Sequence, residues 1–133
     1  MAQEFFKQLL PEMTSCSRGL YANSAYLVPS KVQQVLAKHH IAFTGHTSTQ
    51  FTEDDLQTAD LIFCMEHTQE EQLLDRYPQF TDKIWLLTEF ATHKPEDIID
   101  PISLEGRAFE KQAQRLYALC QAAATRIKQD FKL

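Results

Sequence analysis

The chain has 133 residues, enough for one compact domain with a buried core and too few for two. With 44% hydrophobic and 23% charged residues, three glycines and five prolines, the composition excludes disordered, collagen-like and low-complexity classes. A formal charge of −5 disfavours long-range attraction to nucleic acid or to an anionic lipid surface, and leaves room only for a local basic pocket.

Phe5, Phe6, Leu9 and Leu10 recur at helical spacing and Pro11 stops the pattern, which predicts a first helix. This start carries Glu4 and lacks the basic head and long apolar centre of a secretory signal, so a cytoplasmic location is expected. Residues 13–21 are short and mixed, with Gly19 as a breaker, and read as a weak strand running into a loop. Pro29 and Ser30 open a second helix through Val32, Val35, Leu36 and His39.

Thr52-Glu53-Asp54-Asp55 has the form of a capping box and predicts a short helix. Residues 60–65 form an apolar run bounded by polar residues, expected to be a strand buried on both faces. A second capping-box form at residues 68–71 predicts a helix with Leu73, Leu74 and Tyr77 on its buried side, ended by Pro78. Residues 83–87 read as another buried strand, and residues 88–104, with Pro95 and Pro101, as a long polar loop of the kind that carries function. Phe109, Ala113, Leu116, Leu119, Cys120, Ala123 and Ile127 mark one face of a long last helix over residues 105–131. The apolar runs are far below the roughly 20 residues of a membrane span. Helices alternating with short apolar strands imply an α/β layer fold whose parallel sheet is flanked by helices and whose ligands bind beyond the carboxyl ends of the strands.

The three cysteines, Cys16, Cys64 and Cys120, are widely spaced, with no C-x-x-C pair and no histidine at ligand spacing. That excludes a disulfide framework and a structural zinc, and places Cys64 and Cys120 as buried small hydrophobes. No metal or cofactor is expected. Chemistry is sought in the loops around residues 19–23, 65–67 and 98–101. Asp100, held by the rigid Pro101, could deliver a proton to a leaving group, or Asp-Pro could simply start a turn. His46 could act as base or ligand, or orient backbone through hydrogen bonds. Cys120 and Arg126 fit C-x5-R, but the intervening residues hold three alanines and no glycine in a helical pattern, so their N–H groups cannot converge on a phosphate.

Several pieces, in order, resemble the low-molecular-weight protein tyrosine phosphatases, a family that includes bacterial protein arginine phosphatases. They are Met1-Ala2-Gln3-Glu4-Phe5-Phe6, Ser17-Arg18-Gly19-Leu20, Val35-Leu36-Ala37-Lys38-His39-His40-Ile41, Gly45-His46 with Ser48, Leu56 through Ala59-Asp60-Leu61-Ile62 with Met65, and Asp97-Ile98-Ile99-Asp100-Pro101. The resemblance implies a three-layer α/β fold with a short parallel sheet and hydrolysis of a phosphomonoester through a cysteinyl-phosphate. Asp100 matches the family's general acid, which protonates the leaving oxygen or nitrogen and then assists water. Ser17 and His46 match polar residues that brace the phosphate loop, and Glu66 occupies the place of an acidic residue near the loop's arginine. Where the family commonly has an aromatic residue after Asp-Pro, this chain has Ile102, which puts a phosphotyrosine preference in doubt.

The family's C-x5-R-S loop and first strand lie ahead of the helix at which this sequence begins. The expectation is therefore an N-terminally truncated domain over residues 1–133, with no nucleophilic cysteine, no phosphate-holding arginine and the first central strand missing. Such a chain would be an inactive member of a phosphatase family, or a non-catalytic interaction module that kept the fold. Its expected partner is a phosphoprotein, with no nucleic acid or membrane, and the open sheet edge offers a route to a homodimer. Arsenate reductase is a weaker reading, because Cys120 has no redox partner.

Overall fold

A computed structural model describes residues 1–23, 27–43 and 45–133. Helix α1 (Ala2–Leu9) buries Phe5 and Phe6, and α2 (Ser30–Lys38) buries Val32, Val35 and Leu36, as their spacing predicts. Helix α3 (Glu53–Thr58) starts at the expected capping box, where Asp55 Oδ2 accepts the Thr52 N–H at 2.9 Å.

Strand β1 (Ile62–Cys64) pairs in parallel with β2 (Ile84–Leu86), with Ile62, Phe63 and Cys64 facing Ile84, Trp85 and Leu86. Side chains alternate across this two-stranded sheet. Cys64, Ile84 and Leu86 enter a small core with Leu56 of α3 and Leu73 of α4 (His67–Arg76), and Ile62 packs against it. Phe63 and Trp85 face the other way, against a larger core. That core unites α1, α2, α5 (Leu87–Thr92) and α6 (Gly106–Asp130). The result is a three-layer α/β arrangement, with α3 and α4 on one side of the sheet and the other helices opposite.

Four expectations need correction. The strands are only partly buried, because Ile62, Phe63 and Trp85 each keep some exposure. Residues 13–21 form no strand; their one ladder contact is an isolated parallel bridge between Gly19 and Gln50. Helix α4 begins two residues earlier than a cap at Thr68 suggests, with Glu66 as its cap and Gln69 as the reciprocal partner. The supposed loop after β2 starts as helix α5, whose apolar Leu87 prolongs the strand's own run and so hides the boundary. His93, in the left-handed region at φ 62°, ends that helix, and a 3₁₀ turn (Pro101–Ser103) follows further on.

Helix α6 buries Cys120, and Arg126 belongs to the hydrophobic layer rather than to a phosphate loop. Its guanidinium lies 4.2 Å from the Phe90 ring centroid and 5.0 Å from that of Trp85, and Nη1 donates to the Phe90 carbonyl at 3.1 Å. Among the described residues no helix is long and apolar enough to cross a membrane.

Candidate active site

Three separated segments converge on an open cavity of about 370 Å³. The first supplies Ser17, Arg18 and Tyr21, the second His46, Ser48 and Thr49, and the third Asp100 and Ile102. Thr44, next to the second segment, lies outside the described residues.

The first two segments are joined by backbone. Gly19 N–H donates to Thr49 O at 2.9 Å, and Phe51 N–H donates to Gly19 O at 2.8 Å. The Gln50 side chain adds a second clasp, donating to Leu20 O at 2.8 Å and accepting from Ala22 N–H at 3.0 Å. A side chain at position 19 would press on Ala22 Cβ, 3.3 Å from where its Cβ would stand, so the absence of one lets the chain turn back here.

The third segment is anchored at the carboxyl end of β1, where Ile98 N–H donates to Met65 O at 2.8 Å. Ile98 is buried while Ile99 is largely exposed, and the next residue, Asp100, borders the cavity. Asp100 Oδ1 accepts the Ile102 N–H at 3.1 Å, capping the 3₁₀ turn, and Pro101 is buried beneath it. The turn reading of Asp-Pro is thus observed, with one carboxylate oxygen of Asp100 closing it.

Of the residues singled out in the sequence, Ser17, His46 and Asp100 meet at this cavity and Glu66 does not line it. The Glu66 side chain instead caps α4 in the reciprocal box with Gln69, whose Oε1 accepts the Glu66 N–H at 3.2 Å. Ser17 Oγ donates to Gln3 Oε1 at 2.8 Å, tying the cavity to α1.

Arg18 was not foreseen as a cavity residue. Its Nε donates to Asp55 Oδ1 at 3.3 Å and its Nη1 to the Ser17 carbonyl at 2.8 Å, which fixes the guanidinium at the edge of the cavity. The signal present in the sequence was a cation set between Ser17 and Gly19 of the resembling segment. No cysteine lines the cavity. Cys64 and Cys120 are buried, and burial pushes each thiol up to about 12. Cys16 is exposed.

A short parallel sheet flanked by helices, with a hydroxyl-lined cavity and an Asp-Pro turn at its edge, defines a three-layer α/β protein with a site built from loops. The family model for low molecular weight phosphotyrosine protein phosphatase matches residues 1–133, and the chain belongs to that family. It is 30% identical over 128 residues to a probable low molecular weight protein-tyrosine-phosphatase, EpsP, of Ralstonia nicotianae, covering 96% of this chain and 86% of that protein. It is 25% identical over 134 residues to a protein-arginine-phosphatase of Bacillus subtilis, covering 98% and 89%. A crystal structure of a YwlE mutant from Bacillus subtilis superposes with a TM-score of 0.85 at 24% identity, covering 96% of this chain and 88% of that one.

Proposed function

We propose that the cavity bordered by Ser17, His46 and Asp100 is the phosphoryl site of a protein phosphatase, with a phosphoprotein as its ligand and Asp100 as the general acid. The observation that supports this most is the convergence of those three side chains, from three distant segments, on one cavity rich in hydroxyl donors. Ser48 offers a hydroxyl and His46 an imidazole, Ser17 and Thr49 add hydroxyls that would turn to a ligand from Gln3 and the Thr47 carbonyl, and Arg18, paired with Asp55, brings a guanidinium to the rim. Such a set suits an oxyanion, and the Asp100 carboxyl at its rim suits proton delivery to a leaving oxygen or nitrogen. Aliphatic Ile102 stands beside Asp100, and Tyr21 is the aromatic side chain lining the cavity among the described residues.

Within these 133 residues no thiol is placed to attack. Two are buried and protonated at neutral pH, and the third lies off the cavity. The chain by itself therefore acts as a binder and not as a catalyst. Calorimetric titration with phosphotyrosine and phosphoarginine peptides, against their unphosphorylated forms, tests the site. Binding that needs the phosphoryl group and weakens in Ser17→Ala and His46→Ala is the expected result; equal binding of unphosphorylated peptide would overturn it. In parallel, aryl phosphate should be hydrolysed no faster than in buffer. Turnover that Asp100→Ala abolishes would show that these residues do hold a working nucleophile.

A further inference from the structure

The segment that carries Asp100 is held by its neighbours in an unusual sequence of tethers. Thr88, buried in α5, uses one hydroxyl to donate to Glu96 O at 2.7 Å and accept from Glu96 N–H at 2.9 Å. Asp97 reaches α4, Ile98 pairs with the end of β1, and Ile99 O accepts from Gln112 of α6 at 2.8 Å. Three consecutive residues thus fasten to three different elements immediately before Asp100.

The Asp97 contact carries charge, and the Glu96 carboxylate just before it also pairs with Arg115 of α6 at 2.8 Å. Asp97 Oδ1 accepts the His67 backbone N–H at 2.8 Å and lies 2.6 Å from His67 Nδ1. His67 is the first residue of α4, so the carboxylate also meets the positive end of that helix. We propose that Asp97 and His67 are a positioning pair that sets the distance between the Asp100 turn and the cavity. The proposal rests on the reading of Asp100 as the general acid, but concerns how the turn is held.

A carboxylate with two donors on one oxygen is fixed in direction as well as distance, so loss of the Asp97 contact removes one of the three consecutive tethers that hold the segment leading into the Asp100 turn. The other charged groups acting on His67 are Glu70 and Glu71 of its own helix. Both are anionic, so they reinforce the protonated ring without offering a rival hydrogen bond among the described residues.

Nitrogen-15 NMR of the full chain across a pH series tests the pair without recourse to activity. The expected result is that the amides of Asp97, Ile98, Asp100 and Ile102 shift with the same inflection as the His67 ring. In Asp97→Asn that inflection should move back toward an ordinary histidine and the Asp100 and Ile102 amides should stop following it, with several-fold faster hydrogen exchange at Ile98. His67→Gln, which keeps the backbone donor, should likewise abolish the inflection and provides a second variant should the first not fold. Loop amides that ignore the His67 titration in the unaltered protein, or that keep following it in Asp97→Asn, would overturn the proposal. A failure of Asp100 as an acid would show in the phosphopeptide and turnover experiments and leave these amide shifts unchanged.

Discussion

Gly19 and Gln50 form a parallel bridge that belongs to no strand, and through it the Ser17 segment and the His46 segment become one wall. The Gln50 amide doubles that bridge by donating to one residue beyond Gly19 and accepting from another. Gln50→Ala removes both side-chain bonds and leaves the backbone pair. At about 0.5–1.5 kcal/mol for each such bond, and toward the low end for exposed groups, it should lower stability by about 1–2 kcal/mol. Urea denaturation reads that change, and phosphopeptide titration should show weaker binding because the two walls are no longer held in register.

Cysteine chemistry gives a direct check on the placement of the thiols. With thiols pushed up to about 12 by burial, Cys64 and Cys120 hold a negligible thiolate fraction at pH 8, whereas Cys16 is open to solvent. Brief iodoacetamide treatment of the native protein should label Cys16 alone, and all three cysteines only in denaturant. Mass spectrometry of the peptides decides it, and rapid native labelling of Cys120 would contradict its place inside α6.

The ion pair that tethers the Asp100 segment has a defined pH window. Its hydrogen bond with Asp97 raises the His67 pKa, and the His67 backbone N–H is the largest cause that lowers that of Asp97. A raised histidine value means stabilisation that is complete below the ordinary histidine pKa, about 6.5, and is lost as pH rises through the folded value. A lowered aspartate value means stabilisation that is complete above the ordinary aspartate pKa, about 3.9, and is lost as pH falls through the folded value. Melting temperatures of the unaltered protein and Asp97→Asn should therefore differ most between about pH 4 and 6.5, converge as pH falls through the folded Asp97 value, and narrow only in part as pH rises through the folded His67 value, because the bond from the His67 backbone N–H remains. Both side chains are about half exposed, so added salt should shrink the difference.

Thr88 is the one buried polar residue among the described residues, at 1% exposure, and both of its bonds go to the Glu96 backbone. Thr88→Val keeps the shape and removes two part-buried hydrogen bonds to the Glu96 backbone, which should cost about 1–2 kcal/mol. Thr88→Ser keeps the hydroxyl and should recover most of that loss. Thermal melts measure the cost, and faster amide exchange at Glu96 should accompany it.

Much of the scaffold was legible because it depends on local periodicity. The spacing of Phe5, Phe6 and Leu9, of Val32, Val35 and Leu36, and of the long stripe from Phe109 to Ile127 located the helices. The capping box at Thr52 located α3. Helix α5 was not legible, because Leu87 and Phe90 face a core built by residues from the first and last helices, and a six-residue helix has no period long enough to read. At the site, His46 and Asp100 were singled out by their own chemistry and Ser17 by resemblance, whereas Arg18 was not, because nothing local marks a loop cation as bordering a cavity.

The amino-acid sequence determined the helices other than α5, the two short strands, the exclusion of a membrane span by any described helix and the family, all of which follow from periodicity, composition and ordered motifs. Only the tertiary structure decided which side chains share a cavity. Glu66 turned to cap α4, Arg18 came to the rim beside Ser17, and Asp97 crossed 30 positions to meet His67. Periodicity reports which face of an element is buried, because burial repeats with the backbone's own pitch. Contacts between distant loops have no such repeat, so folding the chain is what brings their chemistry together.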